Sequence, residues 1–462
     1  MKEKQLYQDL GFKTKSKHFK RYLNAGLLND IDKPYIEETQ RYWQNHYGQM
    51  IEPSLNMAFM NLTGKKGTKI IPGTVMWDEI IPFFNDLSIT PGYRDKNIYD
   101  ILMKTPRSVS TVLKCVRKHY FDSSNSNIDE LNAKEKLLAY KSLIIKPSNN
   151  NNGVGIEKLI IKNNQILLNG QVVTINDLAN IYDSNFIVQE VIKQHSIMAA
   201  PHPSSVNSLR MVTFRWKGNI HHLLTFARFG ANNDVKDNAG TGGVCLGVTD
   251  TGCFLDLAID EKTQTYTHHP TTNFCFAELD QIPNFEEFKD FVITSHKDII
   301  HHDFISWDVA VGEDGRPIFI EANFAGATWL YQLAAQKPIF GELTDEVLHY
   351  VANEKERISF SYIQQLKNRD KAIKRQDKKI VKMEEEVSNY NSAEIILRKK
   401  LSKIKKKNKK LEHSLKDNEK KLEEINMQYN NLKNSKTFRY TQPVRTIISK
   451  FKNKKGKPRS SE

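Results

Sequence analysis

The last part of the chain carries an apolar repeat that very few structures can accommodate. Between Tyr362 and Leu432, residues spaced alternately four and three apart form a seam, whose only polar or charged members are Arg369, Gln376, Glu394, Asn408 and Asn418. This spacing predicts a coiled coil over residues 355–434, with a seam about 105 Å long at about 1.5 Å per residue. A single solvated helix is the alternative, although it would not need the seam. We expect a parallel homodimer and leave trimers and antiparallel pairs open.

The positive charge of the chain is concentrated in the same part. The 462 residues include 68 Lys and Arg against 54 Asp and Glu, a net charge of +14. Residues 351–462 hold 32 basic and 14 acidic residues, whereas the first 350 residues hold 36 and 40. A nearly neutral body therefore precedes a basic tail, and we do not expect nucleic acid as a partner.

Beyond the repeat, residues 435–462 interleave aromatic and aliphatic side chains with Lys and Arg. This pattern predicts a basic amphipathic tail suited to the anionic inner leaflet of a membrane, with a solvated basic tail as the alternative. No run approaches the roughly 18 apolar residues of a membrane span, and the first residues lack the apolar segment of a signal peptide. We expect a cytoplasmic protein whose tail allows peripheral contact with the cytoplasmic face of the membrane.

The body divides into two regions by pattern. Residues 1–74 are polar with helical patches, which predicts a mostly helical N-terminal region. Residues 75–350 contain short apolar runs broken by turn residues, with helical stretches between them. The segments KNNQ at 162–165 and GEDG at 312–315 read as turns of antiparallel hairpins. The region is therefore expected to be α+β.

A loop between two predicted strands could bind phosphate. In LIIKPSNNNNGVGI the first strand ends at Lys146, and a polar loop runs to Gly153 and Gly155. Such a loop exposes backbone N–H groups to an anion, and a lysine at the strand end neutralises it. No GK[ST] follows, so it is not a Walker loop. By itself the segment could equally be an ordinary hairpin loop.

A second hairpin carries hard oxygen donors. Asp308 lies on the first strand of WDVAVGEDGRPIFIEAN, and Glu321 and Asn323 lie on the second. Residues two apart on a strand share a face, and the hairpin register can bring Asp308 to that face. Two carboxylates and an amide oxygen suit Mg²⁺ held together with substrate phosphates. Between the two hairpins, FIVQEVI ends in polar groups that could read an adenine edge, and Arg210 on a later strand could pair with phosphate.

These features occur in an order that resembles the ATP-grasp superfamily. The segments YRDKNIYDILM, IIKPSNNNNGVGI, SSVNSLRMVTF, DNAGTGGVCLGVTDTG and WDVAVGEDGRPIFIEANFAG together resemble sugar-transfer-associated ATP-grasp proteins, encoded among bacterial surface-polysaccharide genes. The resemblance covers about residues 75–345. It implies an ATP-grasp fold, in which two α+β subdomains clasp ATP, followed here by the coiled-coil helix.

The resemblance also implies roles for individual residues. Lys96 and Lys146 would contact the ATP phosphates, and Arg210 would hold the γ-phosphate. One or two Mg²⁺ ions would be bound by Asp308, Glu321 and Asn323. The phosphate loop would include Ser148, Gly153 and Gly155, and the adenine pocket Gln189, Glu190 and Ile192, with Glu190 bound to the base. Arg228 and Asn238, the latter in the loop DNAGTGG, are candidates for the acceptor side.

The chemistry implied is ligation. ATP-grasp enzymes resemble one another in phosphorylating a carboxylate to an acyl phosphate, which an amine then attacks. We therefore expect a Mg²⁺- and ATP-dependent ligase whose glycan-linked carboxylate and amine substrates belong to surface polysaccharide, teichoic acid or capsule assembly. A kinase of the same fold acting on a hydroxyl is one alternative. A coiled-coil scaffold or nucleic-acid-binding protein with a non-catalytic nucleotide site is another.

Overall fold

The computed structural model describes residues 2–149, 154–232 and 242–357, and further helical residues at 369–371, 373–377, 379, 420, 422–424 and 427. The chain divides into two compact units, Met1–Ile358 and Ser359–Glu462. The predicted coiled coil lies largely outside the described residues, and the predicted basic tail lies entirely outside them. Both therefore stay predictions.

Helices open the first unit and recur between its strands. They are α1 (Lys2–Asp9), α2 (Lys17–Asn24), α3 (Lys33–Tyr47), α4 (Ser54–Thr63), α5 (Gly73–Val75), α6 (Ile81–Phe84), α7 (Thr90–Arg94), α8 (Tyr99–Leu102), α9 (Glu130–Leu138), α10 (Ile175–Ile181), α11 (Ser196–Ala199), α12 (Phe285–Lys297), α13 (Thr328–Ala335) and α14 (Thr344–Arg357). A π-helical turn at Met76–Ile80 joins α5 to α6. Side-chain caps fix several starts, as where Asp32 accepts a hydrogen bond from the backbone N–H of Tyr35. None of the described helices is long and apolar enough to cross a membrane.

The strands form two antiparallel sheets. They are β1 (Thr111–Val116), β2 (His119–Phe121), β3 (Asn127–Ile128), β4 (Ser142–Pro147), β5 (Glu157–Lys162), β6 (Gln165–Leu168), β7 (Gln171–Val173), β8 (Asn185–Glu190), β9 (Ser208–Trp216), β10 (Asn219–Phe229), β11 (Val244–Val248), β12 (Phe254–Ile259), β13 (Thr265–Tyr266), β14 (Phe304–Val311) and β15 (Pro317–Asn323). The eight-stranded sheet has the order β3-β2-β1-β8-β4-β5-β6-β7, and the seven-stranded sheet has the order β13-β12-β11-β10-β9-β14-β15. The expected α+β class is confirmed.

Both hairpin turns expected from the sequence are present. Asn163 and Asn164, between β5 and β6, have φ values of 52° and 60°, the left-handed conformation that suits a two-residue hairpin. Between β14 and β15, the N–H of Gly312 donates to the carbonyl of Arg316 at 2.8 Å, and Gly315 has a φ of 74°. The two turns fix which residues lie opposite each other on the flanking strands.

Three apolar clusters form the core of the first unit. The N-terminal helices and α13 pack against part of the seven-stranded sheet around Phe214 and Phe226, and α12 covers its other face around Trp307. Helices α9 and α10 cover one face of the eight-stranded sheet, where Leu143 and Ile145 are buried. Because strand side chains alternate, Lys146 emerges on the opposite face of that sheet.

Candidate active site

Strand register brings the predicted metal ligands together. Asp308 on β14 lies opposite Arg210 on β9 and opposite Glu321 on β15. Residues directly opposite each other point to the same face of a sheet, and Asn323 is two residues beyond Glu321. The four side chains therefore share one face, which the hairpin pattern predicts for Asp308, Glu321 and Asn323.

Two arginines neutralise Asp308, whose side chain is buried. Arg210 donates Nε to Oδ1 of Asp308 and Nη2 to Oδ2 at 2.8 Å, in a two-pronged ion pair. Arg228, near the end of β10, donates Nη1 to Oδ2 at 3.0 Å. Burial raises the pKa of Asp308, while the charges of the two arginines oppose that rise. In this arrangement the arginines hold the oxygens that a metal ion would need.

Glu321 has the lower pKa of the two carboxylates. Burial acts to raise its pKa, but the charges of Lys96 and Lys146 outweigh burial and hold the pKa of Glu321 at about 2. Nζ of Lys96 lies 3.5 Å from Oε2 of Glu321. The amide Nδ2 of Asn323 lies 3.4 Å from Oε1 of Glu321 and 3.5 Å from Oδ2 of Asp308. Asn323 thus bridges the two carboxylates.

The donors in this group fit Mg²⁺. Asp308, Glu321 and the amide oxygen of Asn323 are hard oxygen ligands, which Mg²⁺ prefers when it is shared with phosphates. Among the described residues, no group of three His, Cys, Asp or Glu side chains is placed to hold a metal ion, either at this site or elsewhere. A third protein ligand at this pair would therefore be Asn323, with its amide oxygen turned to the ion.

Two buried lysines lie near Glu321, and a buried hydroxyl follows one of them two residues along the chain. Burial and the neighbouring charge of Lys96 lower the pKa of Lys146 to about 8. The backbone N–H of Lys96 donates to the carbonyl of Ser148 at 3.0 Å, and the N–H of Ser148 donates to Asn185 at 3.2 Å. The Ser148 hydroxyl is buried without a partner among the described residues. Lysine charge beside an unsatisfied hydroxyl is suited to phosphate.

The predicted phosphate loop is described at its two ends. Gly153 lies outside the described residues. Gly155 has a φ of 77°, and a Cβ at this position would lie 2.9 Å from Cγ of Pro147. A glycine is required there by both the backbone conformation and the close approach of Pro147.

The predicted adenine residues lie where the chain leaves β8. Nε2 of Gln189 donates to Oγ1 of Thr111 at 3.4 Å, and the exposed Glu190 accepts from the Tyr140 hydroxyl at 3.4 Å. Ile192 is half-buried. The next residues reach the β14–β15 turn, where the N–H of Glu313 donates to the carbonyl of Lys193 at 2.9 Å. The segment from Gln189 to Lys193 therefore links the two sheets.

The acceptor side is described in part. Arg228 contacts Asp308, so it lies inside the site. Asn238 lies outside the described residues, and the start of its loop is held by Asn207, whose Oδ1 accepts from the N–H of Gly230 at 3.1 Å.

Sequence reasoning missed two aromatic residues of the site. Tyr331 on α13 accepts a hydrogen bond from Nη1 of Arg210 at 2.6 Å. The ring of Tyr99 packs 5.4 Å from that of Phe319, and burial together with the charge of Glu321 raises its pKa. Tyr331 follows the EAN segment closely in sequence, but only the rotation of α13 shows that its hydroxyl faces Arg210.

Comparison with known proteins gives a family match. The model of the family described as sugar-transfer associated ATP-grasp matches residues 76–347. No curated protein matches the chain.

Several solved ATP-grasp-type ligases are similar to parts of the chain. An L-amino acid ligase from Bacillus licheniformis is 13% identical, with a TM-score of 0.30, over 56% of this chain and 49% of that one. A D-alanine–D-alanine ligase from Bacillus anthracis is 14% identical, with a TM-score of 0.32, over 62% and 80%. The VanG D-Ala:D-Ser ligase from Enterococcus faecalis is 14% identical, with a TM-score of 0.33, over 58% and 63%. The chain thus spans about half the length of the L-amino acid ligase. Similarity at this level carries no argument about activity.

Proposed function

The chain belongs to the sugar-transfer-associated ATP-grasp family, and from this premise we propose that it is an ATP-dependent enzyme that ligates a carboxylate to an amine in the assembly or modification of a bacterial surface glycan. One observation carries the proposal. Asp308, Glu321 and Asn323 share a strand face with Arg210 and lie within reach of Lys96. This combination provides both hard metal ligands and cations for phosphate.

The two sheets supply the nucleotide site between them. Lys96, Lys146 and the Ser148 hydroxyl bind the phosphates, and Gln189 to Ile192 line the adenine. Asp308, Glu321 and Asn323 would hold Mg²⁺, which would supply charge neutralisation at the phosphates. Positioning and charge are the main contributions that phosphoryl transfer asks of a protein.

The arginines serve the anions of the reaction. A carboxylate oxygen of the substrate attacks the γ-phosphorus, the bond to the bridging oxygen breaks, and ADP leaves. The amine then attacks the acyl carbon, phosphate leaves with the C–O bond electrons, and the amine nitrogen loses a proton. Arg210 holds the transferred phosphoryl group, and Arg228, at the end of β10, stabilises the negative charge on the acyl phosphate.

The remaining proposals concern the setting of the enzyme. The surface-glycan role follows the description of the family. We propose that the C-terminal repeat makes the enzyme a homo-oligomer in the cytoplasm. We propose further that the basic tail holds it at the inner membrane surface, where lipid-linked glycans are built.

Turnover with candidate substrates tests the proposed chemistry. The protein is incubated with Mg²⁺, ATP, uronic acids and amino acids, and both ADP release and product mass are measured. A ligase yields a condensed product with loss of water, together with ADP and phosphate, whereas a kinase adds a phosphoryl group to a hydroxyl. Bound nucleotide with no ADP release across the panel contradicts the proposal.

A matched pair of carboxylate variants keeps the turnover test specific. Asp308→Asn removes the metal ligand, and we expect turnover to fall at least about a thousandfold because positioning and charge stabilisation are lost together. Asp314→Asn changes an exposed carboxylate in the turn of the same hairpin, where Asp314 pairs with Arg107 at 2.9 Å. We expect this control to keep wild-type turnover.

A further inference from the structure

The guanidinium of Arg210 is held from two sides. Nε and Nη2 donate to Asp308, and Nη1 donates to the hydroxyl of Tyr331 at 2.6 Å. In the part of the chain that the structure describes, these two side chains are its hydrogen-bond partners. Two of the three guanidinium nitrogens therefore donate to the carboxylate of Asp308, which is also a proposed ligand of Mg²⁺.

We propose that Tyr331 is a positioning residue that keeps Arg210 aimed at the transferred phosphoryl group once Asp308 is bound to Mg²⁺. The inference rests on the proposed function. A dication competes directly with Arg210 for the oxygens of Asp308, so those two hydrogen bonds weaken when the metal binds. The neutral Tyr331 hydroxyl takes no part in that competition. It therefore retains the guanidinium at the site while Nε and Nη2 become free to donate to an anion.

The ring of Tyr331 is fixed well enough to act in this way. Its side chain is only 2% exposed, and its ring centroid lies 5.1 Å from that of Phe226. Phe226 is the strand partner of Arg210 across β9 and β10, so ring and arginine are anchored to neighbouring strands. The guanidinium carbon also lies 5.6 Å from the Tyr331 ring centroid. Packing thus holds the hydroxyl in place without help from Asp308.

Gly326 supplies the space that Tyr331 occupies. A Cβ at position 326 would fall on the Tyr331 hydroxyl and lie 2.7 Å from Cζ of the same ring. Any larger residue must therefore displace the tyrosine from Arg210. Gly326 closes the segment IEANFAG, so this chain places the glycine three residues after a metal ligand and five before the tyrosine.

Nucleotide binding separates positioning from general structural damage. Dissociation constants of Mg²⁺-AMPPNP and Mg²⁺-ADP are measured by calorimetry on the full-length protein and on Tyr331→Phe and Gly326→Ala. Because only AMPPNP carries a γ-phosphoryl group, we expect Tyr331→Phe to weaken AMPPNP at least about tenfold, as for loss of a hydrogen bond to a charged group. The dissociation constant of ADP should change by less than about twofold, so the ratio of the AMPPNP to the ADP dissociation constant should rise. Gly326→Ala should raise the same ratio.

Two controls match the chemistry of each substitution. Tyr47→Phe removes the hydroxyl of another buried tyrosine, which donates to the carboxylate of Glu79 at 2.9 Å and does not contact Arg210. Gly92→Ala adds a methyl where nothing lies within 4 Å. Both should leave the ratio of the two dissociation constants at its wild-type value.

Several outcomes would overturn the inference. If the ratio of the two dissociation constants is unchanged in Tyr331→Phe, including the case in which both affinities fall equally, Tyr331 does not position Arg210. A wild-type protein that binds neither nucleotide overturns the proposed function and the inference together. If the wild type binds both nucleotides but never turns over, only the proposed ligation fails, and a raised ratio of the AMPPNP to the ADP dissociation constant in Tyr331→Phe still supports the inference. Melting temperatures identify any unfolding of Gly326→Ala, in which case Tyr331→Phe, which keeps the ring, decides.

Discussion

Lys146 combines burial with a charge that the nucleotide needs. Its pKa is lowered to about 8 by burial and by the charge of Lys96. Below that pH the ammonium is charged and can pair with phosphate, and above it the amine becomes neutral. We expect the affinity for ATP, measured by calorimetry, to weaken progressively as the pH rises from 8 to about 9.5, because binding must then take up a proton.

Lys146→Arg is the matched control for this dependence, because arginine stays charged over the same range. The variant should bind ATP with little change above pH 8. A wild-type affinity that is constant between pH 7 and 9.5 would show that Lys146 does not contact the phosphates.

Asp308 restrains two arginines when no metal is bound. Arg210 and Arg228 both donate to it, so neither guanidinium is fully available to an anion. In buffer containing EDTA, we expect Asp308→Asn to bind ATP about tenfold more tightly than the wild type, since a charged hydrogen-bond acceptor for the arginines has been removed. Calorimetry without metal measures this directly.

Asp303→Asn controls for the loss of an arginine-bound aspartate outside the site, because Asp303 pairs with Arg215 at 3.0 Å. It should bind ATP as the wild type does. If Asp308→Asn binds no more tightly than this control in EDTA, the arginines are not restrained by Asp308.

The residues of the site differ in how far sequence could predict them. Asp308, Glu321 and Asn323 could be placed on one face because a short hairpin fixes both parity and register. The contact of Arg210 with Asp308 depends on the pairing of β9 with β14, between which β10 to β13 intervene. Tyr331 depends further on the rotation of α13 against the sheet. No local pattern specifies either of these relations.

The loop between β4 and β5 depends on Gly155. At this position φ is 77°, and Pro147 lies against the site of a would-be Cβ. We expect Gly155→Ala to lower the free energy of unfolding by about 2 kcal/mol, from left-handed backbone strain and crowding together. It should also weaken ATP binding, because Ser148 is in the same loop. Thermal melts and calorimetry measure the two effects.

Gly170→Ala separates the two causes. Gly170 has a φ of 79°, and nothing would lie within 4 Å of its Cβ. Its substitution should cost only about 1 kcal/mol for the backbone conformation and leave ATP affinity unchanged. Equal losses of stability in the two variants would show that the contact with Pro147 is unimportant.

At the scale of elements, the sequence predicted local features better than sheet order. Both hairpin turns could be read from Asn and Gly at turn positions. The insertion of β8 between β1 and β4 could not, because β8 is separated in sequence from β4 by β5, β6, β7 and α10, and from β1 by still more elements. The packing of the N-terminal helices on the seven-stranded sheet also depends on distant apolar contacts, such as those around Trp329.

On the scale of the whole molecule, the site and the C-terminal repeat fall in different units. All described site residues lie in Met1–Ile358, whereas the repeat lies in Ser359–Glu462. We expect a chain ending at Ile358 to keep its ATP affinity and to be monomeric, while the full chain is an oligomer. Light scattering after size exclusion, together with calorimetry, measures both properties. A monomeric full chain would contradict the predicted coiled coil.

The division of charge was the most informative whole-molecule feature of the sequence. Because the basic excess lies beyond residue 350, the body could be separated from the tail as a region of almost neutral charge. The match to the family model, over residues 76–347, lies within that body.

The central claim is that Asp308, Glu321 and Asn323 bind Mg²⁺ together with the phosphates of ATP. Calorimetric titration of AMPPNP into wild type and Glu321→Gln, with and without Mg²⁺, tests it most directly. Mg²⁺ should tighten binding to the wild type at least about tenfold, through metal shared between carboxylates and phosphates, and this gain should vanish in Glu321→Gln. Wild-type binding that is equally tight with and without Mg²⁺, or a gain that survives in Glu321→Gln, would contradict the account.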